Sequence, residues 1–301
     1  MLGTSLIGGH SIWKAMVLLY LGLSICSIGI ALKTQSSPAS HLRDQVFSWW
    51  RIFPVISISL LFYPYAPLLL ILVICCLAFR ELISHHNGQK KYFLFAYVGG
   101  FTLIISSSYF SSDNVFLQIP ILLLVHFLFF WFRRTANQLL LLMFLVNCYG
   151  VSFLIRLQQL HFDERVNLTW LFYLLTMTAL NDVAQFVIGK SFGKQKIASR
   201  ISPNKTWQGL AGGVMVSLIV SALLGSYLHL ATVEYLLVVG LLLSIGGFAG
   251  DLMFSAAKRF LGIKDFSQLI PGHGGILDRV DSLVVTAPLL YFVNHISYTG
   301  S

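Results

Sequence analysis

The stretch SIGGFAGDLMFSAAKRFLGIKDFSQLIPGHGGILDRVDS, residues 244–282, runs from an apolar segment into a polar loop rich in glycine and charge. This loop lies in a chain that is 56% hydrophobic and only 10% charged. Soluble domains average about 25% charged residues, and so apolar a chain has too little polar surface to cover a soluble core. Apolar runs of about 20 residues, the length that spans a bilayer, recur along the whole chain. The sequence therefore predicts an all-α polytopic integral membrane protein.

Ten apolar segments are predicted, of which about nine or ten are expected to cross the membrane. They lie near residues 13–32, 45–63, 66–83, 92–109, 115–132, 138–155, 168–189, 207–228, 235–256 and 283–297. The first segment is longer than a signal-peptide core and is preceded by a single charge, so we interpret it as a membrane helix. We expect one membrane domain, 1–301, with N-terminal helices in 1–165 and catalytic helices and loops in 166–301.

The basic residues lie on one face of the predicted membrane domain. All but three of the 20 lysines and arginines lie in connections that follow odd-numbered segments. Connections rich in lysine and arginine usually lie on the cytoplasmic side of a membrane protein. The net charge of +9 is therefore explained by topology and not by nucleic-acid binding. We expect an integral protein of the cell inner (plasma) membrane with a cytoplasm-facing site.

Two aspartates stand inside apolar segments: Asp182 in the seventh and Asp251 in the ninth. A carboxylate near the bilayer core costs a few kcal/mol, and such residues usually face a polar cavity, a partner or an ion. The alternative is that each lies close enough to the interface to be solvated. Asp251, Ser255 and Lys258 are spaced i, i+4, i+7, so we expect them on one helical face that points toward the cytoplasm.

Asp278, Asp281 and Ser282 follow on the far side of the polar loop, with spacing i, i+3, i+4. If the loop folds back, Asp251 and Asp278 approach each other. Carboxylates with a hydroxyl form a hard oxygen site that suits Mg²⁺, and a second metal ion is allowed. The nearby cations and the glycine-rich PGHGG, whose N–H groups are accessible, suit phosphate groups. These candidates are Lys258, Arg259, Lys264, His273, Gly274, Gly275 and Arg279.

A second basic loop, residues 189–213, reads GKSFGKQKIASRISPNKTWQGLAGG. Its GKS is not a P-loop, because Ala184 stands where the first glycine is required. SPNKTW predicts a helix start, with a turn at Ser202 and Pro203 and with Lys205 at the mouth of the eighth segment. A plain positive loop is the alternative. The GxxxG pairs 209/213 and 246/250 predict close packing of the eighth and ninth segments, which would bring the two loops together.

These features resemble the CDP-diacylglycerol synthase (phosphatidate cytidylyltransferase) family. Residues 255–282 match its signature S-x-x-K-R, four residues, K-D, then P-G-H-G-G, two residues and D-R-x-D, and SPNKTWQGLAGG is similar to its second conserved stretch. Ala257 departs mildly from the pattern. Val183 and Gln185 replace the usual small residue and tyrosine after Asp182. The similarity covers the last four segments; the first half matches only in hydropathy and at Glu81.

The resemblance implies that CTP and phosphatidate, or a related lipid phosphate, give CDP-diacylglycerol and pyrophosphate with Mg²⁺. It places Asp251 and Asp278 at the metal, with Ser255, Lys258 and Asp281 completing the catalytic set. The substrate-binding candidates are Asp182, Ser202, Lys205, Arg259, Lys264, His273, Gly274, Gly275 and Arg279. The alternatives are a CTP-dependent lipid kinase, an ion-coupled transporter, and a degenerate paralogue that binds nucleotide but turns over poorly. A homodimer is also allowed.

Overall fold

The computed structural model describes residues 5–34, 40–88, 90–110, 119–160, 163–269 and 274–299. Helices account for nearly all of this chain, and each of the ten predicted segments corresponds to one long helix. In chain order the elements are α1 (Ser5–Thr34), α2 (Ser40–Leu61), α3 (Tyr65–Ile83), α4 (Lys90–Phe110), α5 (Ile119–Arg133), α6 (Ala136–Leu157), α7 (Glu164–Phe192), β1 (Lys196–Ala198), β2 (Ser202–Thr206), α8 (Trp207–Tyr227), α9 (Val233–Phe260), α10 (Leu277–Val280) and α11 (Leu283–Thr299).

The membrane architecture is confirmed. Within the described ranges, six helical stretches are long and apolar enough to cross a bilayer: Tyr65–Ile83, Ala136–Leu157, Glu164–Phe192, Trp207–Tyr227, Val233–Phe260 and Leu277–Ser297. The apolar stretches of the other four long helices are shorter: Ser11–Ile25, Trp49–Leu61, Leu94–Ser106 and Ile119–Arg133. The protein is therefore an integral membrane protein whose C-terminal half supplies four of the six long spans.

The GxxxG pair on α8 packs this helix against α7. A Cβ at Gly209 would lie 2.9 Å from the carbonyl oxygen of Gln185, and a Cβ at Gly213 would overlap the side chain of that same glutamine. The predicted close packing of α8 with α9 is confirmed, but this glycine pair faces α7 and does not make that contact. The contact of α8 with α9 runs instead through Gly240, which faces Ser221.

The GxxxG pair on α9 faces the last helix and the residues before it. A Cβ at Gly246 would overlap Leu289 of α11, and a Cβ at Gly250 would overlap the carbonyl oxygen of Asp281. A helix can approach another backbone this closely only where it carries no side chain. The glycine pair thus brings the α9 backbone against the segment that contains Asp281.

A small antiparallel hairpin, β1 with β2, connects α7 to α8. Lys196 pairs with Thr206 and Ala198 with Ser202, so Ser202 belongs to a strand and the predicted turn at 202–203 is wrong. The helix begins at Trp207, after Thr206, whose hydroxyl accepts a hydrogen bond from the N–H of Gly209 at 3.1 Å. This N-cap fixes where β2 ends.

Candidate functional site

The predicted polar face of α9 is present. Ser255 donates a hydrogen bond from its hydroxyl to Asp251 Oδ1 at 3.3 Å. One turn further along, Lys258 is buried and forms an ion pair with Asp278. The spacing i, i+4, i+7 therefore places these side chains on one side of the helix, as expected.

Lys205 of β2 connects the hairpin to this face. Its Nζ lies 2.6 Å from Asp251 Oδ2 and 4.4 Å from the centre of the Phe248 ring. The Asp251 side chain remains 37% exposed, whereas that of Lys205 is 12% exposed. The hairpin therefore meets the polar face of α9 at an ion pair whose carboxylate is still accessible.

Asp278 anchors the polar loop, and both of its carboxylate oxygens already accept from donors. Its Oδ1 accepts from Lys258, and its Oδ2 accepts from the N–H groups of Gly275 at 2.9 Å and Phe266 at 3.4 Å. The predicted pairing of Asp251 with Asp278 is therefore replaced by an ion pair between Lys258 and Asp278. A buried carboxylate whose two oxygens both have donors holds the surrounding backbone in place.

Three other carboxylates form the acidic part of the site. Asp182 and Asp281 both experience the negative charge of Asp251 and the positive charge of Arg279. Lys205 acts in addition on Asp182, and Lys258 on Asp281. Ser282 joins two of them: its hydroxyl donates to Asp182 Oδ1 at 3.1 Å, and its N–H donates to Asp281 Oδ1 at 2.8 Å. Helices α7 and α9 and the start of α11 thus converge on one charged cluster.

Arg279 lies beside this cluster with an unused donor. Its Nε is buried and has no hydrogen-bond partner among the described residues. Its positive charge acts on both Asp182 and Asp281. A buried, unsatisfied guanidinium nitrogen suits an anion such as a phosphate oxygen.

The donor chemistry decides whether a divalent metal fits. Among the described residues, no group of three or more His, Cys, Asp or Glu side chains could hold a metal ion by itself. Mg²⁺, however, is usually held by one or two carboxylates together with substrate phosphates and water. Asp251, which is accessible, and Asp281, which is buried beside it, satisfy that smaller requirement.

The glycine-rich loop is only partly available to a phosphate. Gly274 has φ +78°, a conformation that favours glycine, and a Cβ there would lie 2.7 Å from Asp278 Oδ2. The N–H of Gly275 is already donated to Asp278. The predicted phosphate-facing role therefore does not hold for the Gly275 N–H. His273 lies outside the described residues.

Glu81, at the end of α3, was not predicted as a site residue. Its carboxylate accepts from the Ser267 hydroxyl at 2.6 Å and from the N–H groups of Ile276 at 2.7 Å and Leu277 at 3.1 Å. An acidic residue at the end of an apolar segment was the available signal. Glu81 thus connects the N-terminal half of the chain to the polar loop.

The remaining predicted cations differ in role. Arg259 donates to the carbonyl oxygens of Ile201 at 3.1 Å and Ile263 at 2.9 Å, so it connects the hairpin to the end of α9. Lys264 is exposed. Ser202 is paired within the hairpin. The cations nearest the acidic cluster are Lys205, Lys258 and Arg279.

Asn181, next to Asp182, is a second residue that the sequence did not reveal. Its Oδ1 accepts from Ser217 at 3.1 Å, Ser244 at 2.7 Å and Gln185 at 3.1 Å. This buried amide joins α7, α8 and α9 directly behind the acidic cluster. Gln185, one of the departures from the family pattern, therefore supports the framework.

Comparison with known proteins gives a family match over most of the chain. The sequence model described as the cytidylyltransferase family matches residues 43–297. A phosphatidate cytidylyltransferase of Bacillus subtilis is 41% identical over 131 residues, which are 43% of this chain and 49% of that protein. An uncharacterized Escherichia coli protein, YnbB, is 46% identical over 127 residues, 42% of this chain and 43% of the relative.

A longer alignment joins the chain to a phosphatidate cytidylyltransferase of Rickettsia bellii, 32% identical over 191 residues, 60% of this chain and 80% of that protein. In the two relatives from Bacillus subtilis and Escherichia coli, the chain spans less than half of the relative's length.

Proposed function

The chain belongs to the cytidylyltransferase family, and on that premise we propose that it transfers the cytidylyl group of CTP to phosphatidate or a related lipid phosphate. The products are CDP-diacylglycerol and pyrophosphate. The names of the Bacillus and Rickettsia relatives support this substrate pair. The observation that carries the proposal is the contact of Lys205 with Asp251, which places a charged, accessible site between membrane-spanning helices.

The proposed reaction is one in-line displacement. An oxygen of the lipid phosphate attacks the α-phosphorus of CTP, a new P–O bond forms, and the bond to the β-phosphate breaks to release pyrophosphate. A phosphate monoester is already a competent nucleophile near neutral pH, so a strong base is not needed. The residues are therefore required to orient two anions and to balance their charge.

The cations of the site have separate tasks in this reaction. Lys205 and the unpartnered Nε of Arg279 are placed to bind phosphate oxygens. Lys258 is held by Asp278, so it contributes a fixed positive charge at the wall of the site. Donors and charges that are fixed before the reaction stabilise developing negative charge without reorganisation.

We infer a requirement for Mg²⁺, held by Asp251 and Asp281 with Asp182 close by. Asp278 is the weaker candidate, because both of its oxygens already have donors. When bound, the metal would neutralise the triphosphate and favour departure of pyrophosphate. Ser255 and Ser282 orient the carboxylates of Asp251 and Asp182 through their hydroxyl groups.

We also propose that the site opens to the cytoplasm and that the chain lies in the cell inner membrane. Seventeen of the 20 lysines and arginines lie in or beside the connections that follow odd-numbered predicted segments, which supports a cytoplasmic location for those connections. Soluble CTP would then reach the site from the same side as the basic loops.

An assay of the purified protein with labelled CTP and a panel of lipid phosphates tests the function. CDP-lipid together with pyrophosphate is the expected result. Phosphorylated lipid together with CDP would instead identify a lipid kinase. Ion-coupled flux in vesicles without nucleotide would identify a transporter. Absence of any CDP-lipid across the panel, from protein whose fold is intact, would reject the proposed reaction.

A further inference from the structure

An apolar pocket lies between α1, α2 and α7, and none of the charged residues of the site is in its lining. Its walls include Leu19 and Tyr20 of α1, Phe53 of α2 and Phe172, Ala179 and Leu180 of α7. The lining is almost wholly carbon. A pocket of this chemistry at membrane depth suits a hydrocarbon chain and does not suit a nucleotide.

Two of the polar side chains in the pocket wall, Tyr20 and Ser57, are paired with each other. The hydroxyl groups of Tyr20 and Ser57 are hydrogen-bonded at 3.0 Å, and the rings of Tyr20 and Phe53 meet edge to face with centroids 5.8 Å apart. These contacts fix α1 against α2. The wall therefore presents apolar surface without a free hydroxyl from this pair.

One helix, α7, carries both the pocket and an aspartate of the charged cluster. Phe172 and Leu180 line the pocket, and at 1.5 Å per residue they are about 12 Å apart along the helix. Asp182 follows the lining residue Ala179 by three residues, so the two are neighbours on the surface of α7, and the lining residues lie from there toward the N-terminal end of the helix. A lipid with its phosphate near Asp182 would place its acyl chains at the depth of the pocket.

Helix α1, which forms one wall of the pocket, and Val183, which lies outside its lining, depart from the family. Helix α1 ends at Thr34, before the matched residues 43–297 begin, yet it supplies one wall. Val183, which replaces the family's small residue, stands one turn beyond Ala179 on the same face of α7 and is 39% exposed. Both features belong to this chain's own version of the fold.

We propose that this pocket binds an acyl chain of the lipid phosphate and that α1 sets the preferred chain length. The inference rests on the proposed function, since it names which members of the substrate class are used. Hydrophobic pockets discriminate between chains that differ by a methylene group, so a change in wall volume changes the preference.

Competition between short-chain and long-chain phosphatidates tests the selection. Leu19→Ala enlarges the pocket, and we expect the kcat/KM ratio to move about fivefold or more toward the longer chain. Ala179→Phe fills the pocket and should move the ratio toward the shorter chain. The matched control is Leu18→Ala on the same helix, because Leu18 is 65% exposed and lies outside the pocket lining. Unchanged ratios in both pocket variants, with turnover retained, would overturn the proposal.

A second measurement does not depend on turnover. Phosphatidate with a photoreactive diazirine in its acyl chain is irradiated with the full-length protein in the absence of CTP, and the labelled peptides are mapped. We expect labelling around Leu19 and Phe172–Leu180, reduced by unlabelled phosphatidate and by Ala179→Phe. Labelling confined to other surfaces would reject the pocket, whereas pocket labelling without CDP-lipid formation would reject only the proposed reaction.

Discussion

Lys258 of α9 and Asp278 of α10 form a buried ion pair that fixes the polar loop to the helix bundle, with side chains only 10% and 5% exposed. The same aspartate also accepts from two backbone N–H groups, of Phe266 and Gly275. Lys258 and Asp278 are 20 residues apart in the sequence, so their ion pair closes the whole loop between α9 and α10. The charged site therefore depends on an internal charge pair for its shape.

Removal of the lysine should destabilise the protein. Lys258→Ala leaves Asp278 buried without its cation, and loss of one partner of a buried pair costs about 3–5 kcal/mol. Thermal denaturation of the Lys258→Ala variant in detergent should show a clearly lower transition temperature than that of the wild-type protein. Lys264→Ala is the control, because Lys264 lies in the same loop and is exposed. Equal transition temperatures for both variants would show that the buried pair does not contribute.

Lys205 should affect catalysis more than stability. Lys205→Ala removes the cation from the accessible carboxylate of Asp251, and loss of one preorganised charge typically reduces turnover by about a hundredfold. Steady-state formation of CDP-lipid measures the effect, and Lys194→Ala is the control because Lys194 is an exposed lysine just before the same hairpin. Wild-type kcat/KM in Lys205→Ala would remove Lys205 from the proposed site.

Asp251 and Asp281 should bind the divalent metal. Mn²⁺ is a paramagnetic substitute for Mg²⁺, so electron paramagnetic resonance measures its binding directly in the presence of CTP and without turnover. Asp251→Asn and Asp281→Asn should each weaken Mn²⁺ binding about tenfold, because each substitution removes one of few carboxylate ligands.

The control for this measurement is Asp265→Asn, which changes an exposed aspartate of the neighbouring loop. Asp278→Asn should weaken Mn²⁺ binding less than the other two site variants, because its oxygens are occupied by Lys258 and by Gly275. If Asp278→Asn instead caused the largest loss, the assignment made from the sequence would be correct and the one made from the structure wrong.

Glu81→Gln should loosen the polar loop. The substitution replaces a charged acceptor with a neutral one, and hydrogen bonds to charged groups contribute about 1.5–3 kcal/mol each. Amide hydrogen exchange at Ile276 and Leu277, the two N–H donors to Glu81, should accelerate. Glu234→Gln at the start of α9 is the matched control, since Glu234 is exposed. Unchanged exchange at both amides would argue that Glu81 does not hold the loop.

The sequence predicted the helices well because the hydrophobic pattern that forms them is local. It also predicted the polar face of α9, since Asp251, Ser255 and Lys258 are related by helical spacing alone. The partner of Asp278 could not be predicted from the sequence. Lys258 and Asp251 lie on the same face of α9, and only the folded structure shows which of the two Asp278 contacts. The hairpin was missed because β1 has three residues and no apolar alternation.

Contacts between residues far apart in the chain could not be predicted from the sequence. Glu81 accepts from an amide 195 residues away, and Asn181 binds serines on two other helices. Asn181 carried no signal of its own, and Glu81 was marked only as an acidic residue at the end of an apolar segment, so the sequence did not indicate which groups either residue contacts. Both hold the framework around the acidic cluster.

Gly250 provides the sharpest test of how closely that framework is packed. A Cβ at this position would overlap the backbone carbonyl oxygen of Asp281, which cannot rotate away as a flexible side chain could. Gly250→Ala should therefore displace Asp281, reduce formation of CDP-lipid by about tenfold or more, and cost roughly 1–3 kcal/mol of stability.

The control is Gly99→Ala in α4, where a Cβ would meet no atom within 4 Å. Because alanine has a higher helix propensity than glycine, this substitution should leave stability unchanged or improve it by about 0.5–1 kcal/mol. Wild-type activity in Gly250→Ala would contradict the proposal, because it would mean that catalysis does not depend on the exact position of the Asp281 carboxylate.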